Sequence, residues 1–189
     1  MVYELSKLMQ AGRLPRTPVY VDSPLAVDAT TIFRRHPECY DDEFREMLEG
    51  SGDPFGFHGV HYVQSVEESK ALNDKPGPMV IISASGMAET GRVLHHLANN
   101  IGNPNNAVLL IGFQAEHTLG RRLQDELPVV RIFGEEYERR CPVYSLDGFS
   151  GHGDKDDLFR FATGFTRQKP ERIFLVHGEA GPAQVLTEK

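Results

Sequence analysis

The sequence has no tryptophan and only two cysteines, Cys39 and Cys141, in 189 residues. Neither lies in a CxxC pair or at a disulfide-like spacing, which argues against a disulfide framework and a cysteine-rich metal site and suits a reducing, cytoplasmic setting. No apolar run approaches the ~18–20 residues that a membrane helix needs. The opening MVYELSKLMQAGRLPR lacks the basic-then-apolar pattern of a secretion signal. Basic charge is scarce: 20 Lys and Arg stand against 27 Asp and Glu, a formal charge of −7. This excludes a broad basic surface for nucleic acid, yet leaves room for a local phosphate pocket, where a few donors in one cleft outweigh a weakly acidic background. The spacings HxH, HxxxH and HExxH are all missing, so no catalytic metal site can be read from spacing. The GxSxG elbow of serine hydrolases is missing too, since Gly148-Phe149-Ser150-Gly151 runs into His152.

What is present is the composition of a folded α/β domain, 40% hydrophobic and 25% charged. Met79–Ile82, Ala107–Ile111 and Arg172–Val176 are near-continuous apolar runs, the pattern of strands covered on both faces in a parallel sheet. Pro18–Val21 predicts a fourth strand, cut short by Asp22-Ser23-Pro24. Helices are predicted over Thr90–Asn100, with Val93, Leu94, Leu97 and Ile101 in one stripe, and over Asp154–Thr166, with Asp154, Asp156 and Asp157 in the first turn. Glu49–Phe57 reads as a loop, and Glu138–Leu146 has strand character with Pro142 at an edge or start. The first twelve residues read as a helix with nothing before it, and the last residues begin a helix that stops abruptly. Both ends are therefore expected to be cut from a longer protein.

Ligands of open α/β sheets bind at the carboxyl ends of the strands. Four polar turns fall there: Asp22-Ser23-Pro24, Ser83-Ala84-Ser85-Gly86-Met87, Gly112-Phe113-Gln114 leading to Thr118-Leu119-Gly120-Arg121, and His177-Gly178-Glu179. A fifth, Ser150-Gly151-His152-Gly153-Asp154, opens a helix. The Ser83–Gly86 turn has so little side-chain bulk that its amides and hydroxyls can approach an anion, although a capped tight turn has the same composition. Thr118 and Arg121, one helical turn apart, can grip a phosphate together or lie on a solvated face. Among the histidines, His36 ends a helix before Pro37, His58 and His61 lie in an extended segment, and His95-His96 are adjacent and face different ways. His152 and His177, each next to glycine at the end of an element, are the better functional candidates.

Taken together, these turns resemble the β-CASP branch of the metallo-β-lactamase superfamily, nucleases that include RNase J and the 3′-end processing endonucleases. VDSPLAVDATTIFRRHP resembles the strand–turn–helix near the start of that family's inserted domain, and IISASGMAETGRVLHHL its SxSGM…G segment. LLIGFQAEHTLGRRL is similar to the GYQxxGTLGR stretch, LDGFSGHGD to the FSAHAD-type motif, and IFLVHGE to the late Val-His-Gly-Glu motif. The five segments run in family order from about Thr17 to Glu179, and their wording is closer to the bacterial branch.

The resemblance implies a Rossmann-like three-layer β-CASP domain with a mainly parallel sheet over residues 1–145, and a return segment of the metallo-β-lactamase fold over 146–189. It implies that His177 coordinates one of two zinc ions in the intact protein. His152, with Asp154 in register beside it, would protonate or orient the leaving group, and Ser83, Ser85, Gly86, Thr118 and Arg121 would line the cleft holding phosphates of single-stranded RNA. The family's HxHxDH ligands belong upstream of this sequence, so these residues alone are expected not to bind zinc or cleave RNA. Gly151 and Gly153 replace the alanines of the late motif, and His117 stands where the family usually has glycine. Apolar surface meant for the lactamase sheets is expected to favour self-association as a homodimer. Two other readings are a non-catalytic RNA-binding scaffold and an unrelated α/β hydrolase or phosphate binder.

Overall fold

The computed structural model describes every residue except 54, 57, 58, 150, 177 and 189, together with the side chain of Ser51. His58, Ser150 and His177, all singled out above, lie outside the described residues. The chain divides into two compact units, Met1–Phe149 and Ser150–Lys189.

In the first unit, β1 (Val19–Asp22) is the middle strand of a parallel sheet, flanked by β2 (Val60–Tyr62) and β3 (Val80–Ser83). All four residues of β1 are buried: Val19, Tyr20 and Val21 as their apolar character requires, and Asp22 through the polar contacts described below. Pro24 then enters α2 (Pro24–Arg34) at the first helical position, where its missing N–H costs nothing, and Ser23 caps the helix by accepting from the Ala26 amide at 3.3 Å. The helix α1 (Val2–Gln10) precedes β1, and α3 (Asp42–Ser51) and α4 (Val66–Asn73) follow α2. Phe33, Tyr40, Phe44 and Phe55 form an aromatic cluster with ring centroids 4.6–5.8 Å apart, joining α2 to α3. The helix α3 runs to Ser51, so the glycine-rich loop expected from Glu49 begins three residues later. Its cap Asp41 and acidic first turn favour helix over the turn residues that follow.

A second parallel pair joins β4 (Val108–Ile111) to β7 (Val143–Leu146). Between them come α6 (Leu119–Gln124) and an antiparallel hairpin, β5 (Val129–Ile132) and β6 (Glu135–Glu138). The hairpin turns on Phe133 and Gly134 with φ of 53° and 85°, the mirror-image turn whose twist suits tight hairpins. Leu110, Leu119, Leu123, Val130, Ile132 and Cys141 pack against Leu97 and Ile101 at the end of α5 (Val93–Asn100) to form the larger core. Tyr20, Val63 and Leu72 form a smaller core under α4. This is the α/β class with parallel sheets. The opposite face of β4 and β7 stays open, with Leu109 and Tyr144 directly paired and about half exposed.

The second unit holds α7 (Lys155–Thr163) and α8 (Ala180–Thr187). Arg172–Val176, expected as a strand, forms no ladder among the described residues, and Phe174 and Val176 are 78% and 84% exposed. A strand of this apolar type needs neighbours on both edges and both faces, and this unit contains no other strand among its described residues.

The polar centre of the first unit is Asp22, which is completely buried at the carboxyl end of β1. Its Oδ1 accepts from Arg92 Nη1 at 2.6 Å, and its Oδ2 from Ser69 Oγ and His96 Nε2, both at 2.6 Å. Arg92 continues to the carbonyls of Val63 and Gln64, and His96 Nδ1 lies 3.0 Å from the Asn73 side-chain amide. One carboxylate thus ties β1 to the β2–α4 connection, to α4 and to α5. Burial pushes the Asp22 carboxyl up, but hydrogen bonds from Ser69, His96 and Arg92, with the guanidinium charge, outweigh it and hold the group below its ordinary value of 3.8. A folded value below the unfolded one means that ionised Asp22 stabilises the fold above about pH 4. That contribution is lost as pH falls through 3.8 and on through the lower folded value. Asp22→Asn, which leaves half-buried Arg92 and buried His96 without their anion, is expected to cost about 3–5 kcal/mol in chemical denaturation. It should also flatten the acid limb of stability against pH; an unchanged acid limb would show that another group controls it.

Candidate nucleic-acid interface

The turn after β3 is assembled from its own small residues. Ser83 Oγ donates to the carbonyl of Asp22 at 3.0 Å, which ties the turn to the end of β1. The Ser85 amide donates to Thr90 O at 3.0 Å, and Ser85 Oγ accepts from the amides of Glu89 and Thr90 at 3.3 and 3.4 Å, leaving its own proton to donate. Gly91 closes the turn with φ of 88°. A Cβ there would stand 2.5 Å from Ala84 O, so glycine is required both by conformation and by the close approach. This closure displaces the start of α5 to Val93, three residues later than the sequence pattern predicts.

The second turn folds onto the first. Gln114, 1% exposed, donates from Nε2 to Gly86 O at 3.1 Å and to Gly112 O at 3.2 Å. The Gly120 amide donates to Met87 O at 2.9 Å, and the Leu119 amide donates to the Glu89 carboxylate. Thr118 caps α6, accepting from the Arg121 amide at 3.1 Å while donating to Ala115 O at 2.7 Å. Arg121 extends from that helix, and its Nε donates to both carboxylate oxygens of Asp125, at 3.0 and 3.2 Å. Ser83, Ser85, Gly86, Thr118 and Arg121 therefore stand on two interlocked turns of one unit. Their parts differ: the Ser83 and Thr118 hydroxyls hold backbone carbonyls, and Gly86 anchors Gln114. Ser85 retains a donor proton, and Arg121 carries the cationic charge. Glu89 already neutralises the start of α6, so this helix end adds little attraction for an anion.

The histidines separate as their contacts dictate. His96 is buried on Asp22, whereas its neighbour His95 is exposed against the Phe133 ring at 4.7 Å. His61 stacks on Tyr20 at 5.0 Å, and His36 pairs with Glu38 at 2.7 Å. His117 has φ of 69°, in the left-handed region that favours glycine. That accounts physically for the glycine which the resemblance places at this position.

In the second unit, Asp154 caps α7. Its Oδ1 accepts from the amides of Asp156 and Asp157 at 2.8 and 2.9 Å, and Asp157 Oδ2 accepts in return from the Asp154 amide at 3.2 Å. His152 is exposed in the turn ahead of this cap. Among the described residues no three His, Cys, Asp or Glu side chains come together in a group able to hold a metal ion. With Asp154 engaged as a cap, the described residues do not by themselves fit a two-zinc centre. Sequence reasoning missed the roles of Arg92, His96 and Gln114. The available signal was His96 at the i+3 position from Val93, on the same face as Leu97.

Comparison with known proteins places this chain in a family. Residues 1–123 match the Beta-Casp domain, and residues 136–189 match the Zn-dependent metallo-hydrolase RNA specificity domain. The chain belongs to the β-CASP family of metallo-β-lactamase-type hydrolases. It is 40% identical over 167 residues to Ribonuclease TTHA0252 of Thermus thermophilus, an alignment covering 88% of this chain and 38% of that protein. It is 32% identical over 181 residues to the transcription termination factor FttA of Methanosarcina mazei, covering 93% of this chain and 28% of that protein. An RNase J-like protein of Methanocaldococcus jannaschii is 31% identical over 175 residues, covering 93% of this chain and 39% of its own length. The chain thus spans between about a quarter and two-fifths of these curated relatives.

The interlock of the two turns can be tested at Gly120. Glycine to alanine within a helix ordinarily stabilises by roughly 1 kcal/mol. Here a Cβ would meet Gln114 Oε1 at 1.8 Å and the backbone oxygen of Met87 at 2.9 Å. Gly120→Ala is therefore expected to reverse the sign and destabilise by about 1–3 kcal/mol in urea denaturation. A stabilised variant would mean that the turns do not meet there.

Proposed function

We propose that this chain is the RNA-gripping and specificity part of a zinc-dependent ribonuclease that hydrolyses phosphodiester bonds during RNA processing. The observation that supports the reading is the interlock of the Ser83–Gly91 and Gly112–Arg121 turns, which joins the segments carrying Ser85 and Arg121 beyond the carboxyl ends of parallel strands. Membership of the β-CASP family and the match to an RNA specificity domain support it. We assign residues 1–145 to the gripping domain and 146–189 to the return segment. This is in keeping with the separate family matches and the division into units at Phe149. Phosphates of single-stranded RNA are held by Ser85 and Arg121, while Ser83, Gly86 and Thr118 build the turns that present them. His177 serves as a zinc ligand, and His152 as the acid or orienting group, in the intact protein. Asp154 acts by fixing the helix start behind His152.

The reaction setting is cytoplasmic; both cysteines are unpaired, and no helix among the described residues is long and apolar enough to cross a membrane. The open face of β4 and β7, with Leu109, Tyr144 and Leu146 at 40–58% exposure, supports homodimerisation through apolar burial. Sedimentation is expected to show the apparent mass rising with protein concentration, and a constant monomer mass would remove the homodimer.

Binding of labelled single-stranded RNA tests the gripping role. A phosphate competes with Asp125 for the Arg121 guanidinium, so the affinity should be modest and should fall with added salt. Arg121→Ala should weaken it by about 1–2 kcal/mol, the value of one charge-assisted hydrogen bond. RNA affinity indifferent to both salt and Arg121 would defeat the proposal.

A further inference from the structure

Phe113 is the one benzenoid side chain on the two turns, beside the imidazole of His117, and phosphate gripping makes no use of it. It is the second residue after β4 and is 62% exposed, yet the backbone on each side of it is fixed. Gly112, with φ of 77°, donates its amide to Leu146 O at 2.9 Å, and buried Gln114 holds the carbonyls of Gly112 and Gly86. Met87, next on the Gly86 turn, is 37% exposed. An exposed phenyl ring presented by a fixed backbone has only two side-chain torsions to order, so it can receive a flat partner at low entropic cost.

The geometry points to Phe113 as a base-stacking platform for the RNA strand whose phosphates Ser85 and Arg121 hold. The inference rests on the RNA-gripping reading and adds to it the part of the nucleotide that phosphate contacts leave unread. Charge supplies the reason. With a net charge of −7, general electrostatic attraction cannot hold an RNA, whereas stacking is independent of charge and available from every base. A base and its phosphate are joined through one sugar, so the aromatic ring carried on the same interlocked turns as the phosphate donors is the group we assign to the base. In a duplex the base faces are already stacked on one another, so the platform selects single strands. A purine offers more surface than a pyrimidine, so the platform favours oligoadenylate over oligouridylate.

The test uses the whole 189-residue chain with fluorescent ten-nucleotide oligoadenylate and oligouridylate, and with inorganic tripolyphosphate as a probe of phosphate binding alone. Phe113→Ala should weaken oligoadenylate binding by about ten-fold and erase the preference over oligouridylate. It should leave tripolyphosphate binding and the thermal midpoint unchanged. Phe113→Tyr, which keeps the π face, should stay within about two-fold of the unaltered chain, and Phe113→Leu should behave as alanine does. Unchanged oligoadenylate affinity in Phe113→Ala, or full affinity in Phe113→Leu, overturns the platform. If Phe113→Ala leaves RNA binding intact but abolishes self-association, the ring belongs to a protein contact on the open β4–β7 face, and the inference is likewise overturned. Arg121→Ala separates the two levels. If it weakens RNA and tripolyphosphate binding while Phe113→Ala does nothing, the gripping role stands and the platform alone fails. If the unaltered chain binds no RNA, both fall.

Discussion

A single buried carboxylate organises the end of the sheet from which the candidate interface rises. Asp22 finishes the central strand, and its side chain is fully enclosed, where an unpaired charge would cost several kcal/mol. It persists because three donors meet it at 2.6 Å, each from a different segment: Ser69 in α4, Arg92 just before α5, and His96 within α5. Its backbone carbonyl receives Ser83, so the same residue also holds the start of the next strand's turn. The arrangement is unforgiving of any missing partner. A buried polar network whose members are all satisfied specifies one geometry, and one that is partly satisfied destabilises the fold. The loop that carries Ser85 runs between Ser83 and Arg92, so both of its ends are tied to Asp22.

The interface then follows from close approach more than from charge. Gly91 lies against Ala84 O, and Gly120 against Gln114 and Met87 O; in each case a side chain would separate the two partners. Gln114 fills the space between the turns with an amide that reaches two carbonyls. Removing bulk at those positions lets two strand ends share one rim. This is how an acidic chain can present a small donor-rich patch: net charge governs long-range attraction, while an anion at contact distance responds to the few groups within a screening length of about 8 Å. Glu89 and Asp125 moderate even those groups, one at the α6 amides and one on Arg121. Such a rim favours contacts that combine a few phosphate bonds with another source of affinity.

Much of this was legible in the sequence, and the limits have physical causes. The apolar runs marked β1, β3 and β4 as strands, but the cover on both faces that such runs predict does not hold throughout: β3 is half-buried, and Leu109 of β4 is 49% exposed. The acidic start of α7 was visible too, with Asp154 as its cap, whereas the caps Ser23, Asp41, Ser65 and Thr118 came only from the structure. The polar turns were visible because Gly and Ser cluster there. The Asp22 network was not, since its members lie 47 to 74 residues from Asp22 in sequence and meet only after the sheet and two helices pack. Gln114 looked like one more polar loop residue, and its burial depends on the Gly86 turn 28 residues earlier. Arg172–Val176 shows the converse failure. Its composition is that of a strand, but ladder pairing is a property of neighbours, and a run of β-formers without them stays irregular.

His117 joins these strands of reasoning. In the left-handed conformation an L-residue costs on the order of 1 kcal/mol more than glycine, a cost that histidine bears better than β-branched residues do. The backbone there is set by Thr118, whose amide and hydroxyl both donate to Ala115 O and whose oxygen caps α6. The turn thus imposes its conformation on whatever residue occupies the position, and the imidazole is carried into solvent next to the cap without being needed to build it. The fold tolerates this side chain without requiring it, so histidine can stand where the resemblance places glycine without altering the hydrogen bonds of the turn. The hydrogen bonds of Thr118, Gln114 and Gly120 build the turn, and those are the residues that the geometry constrains.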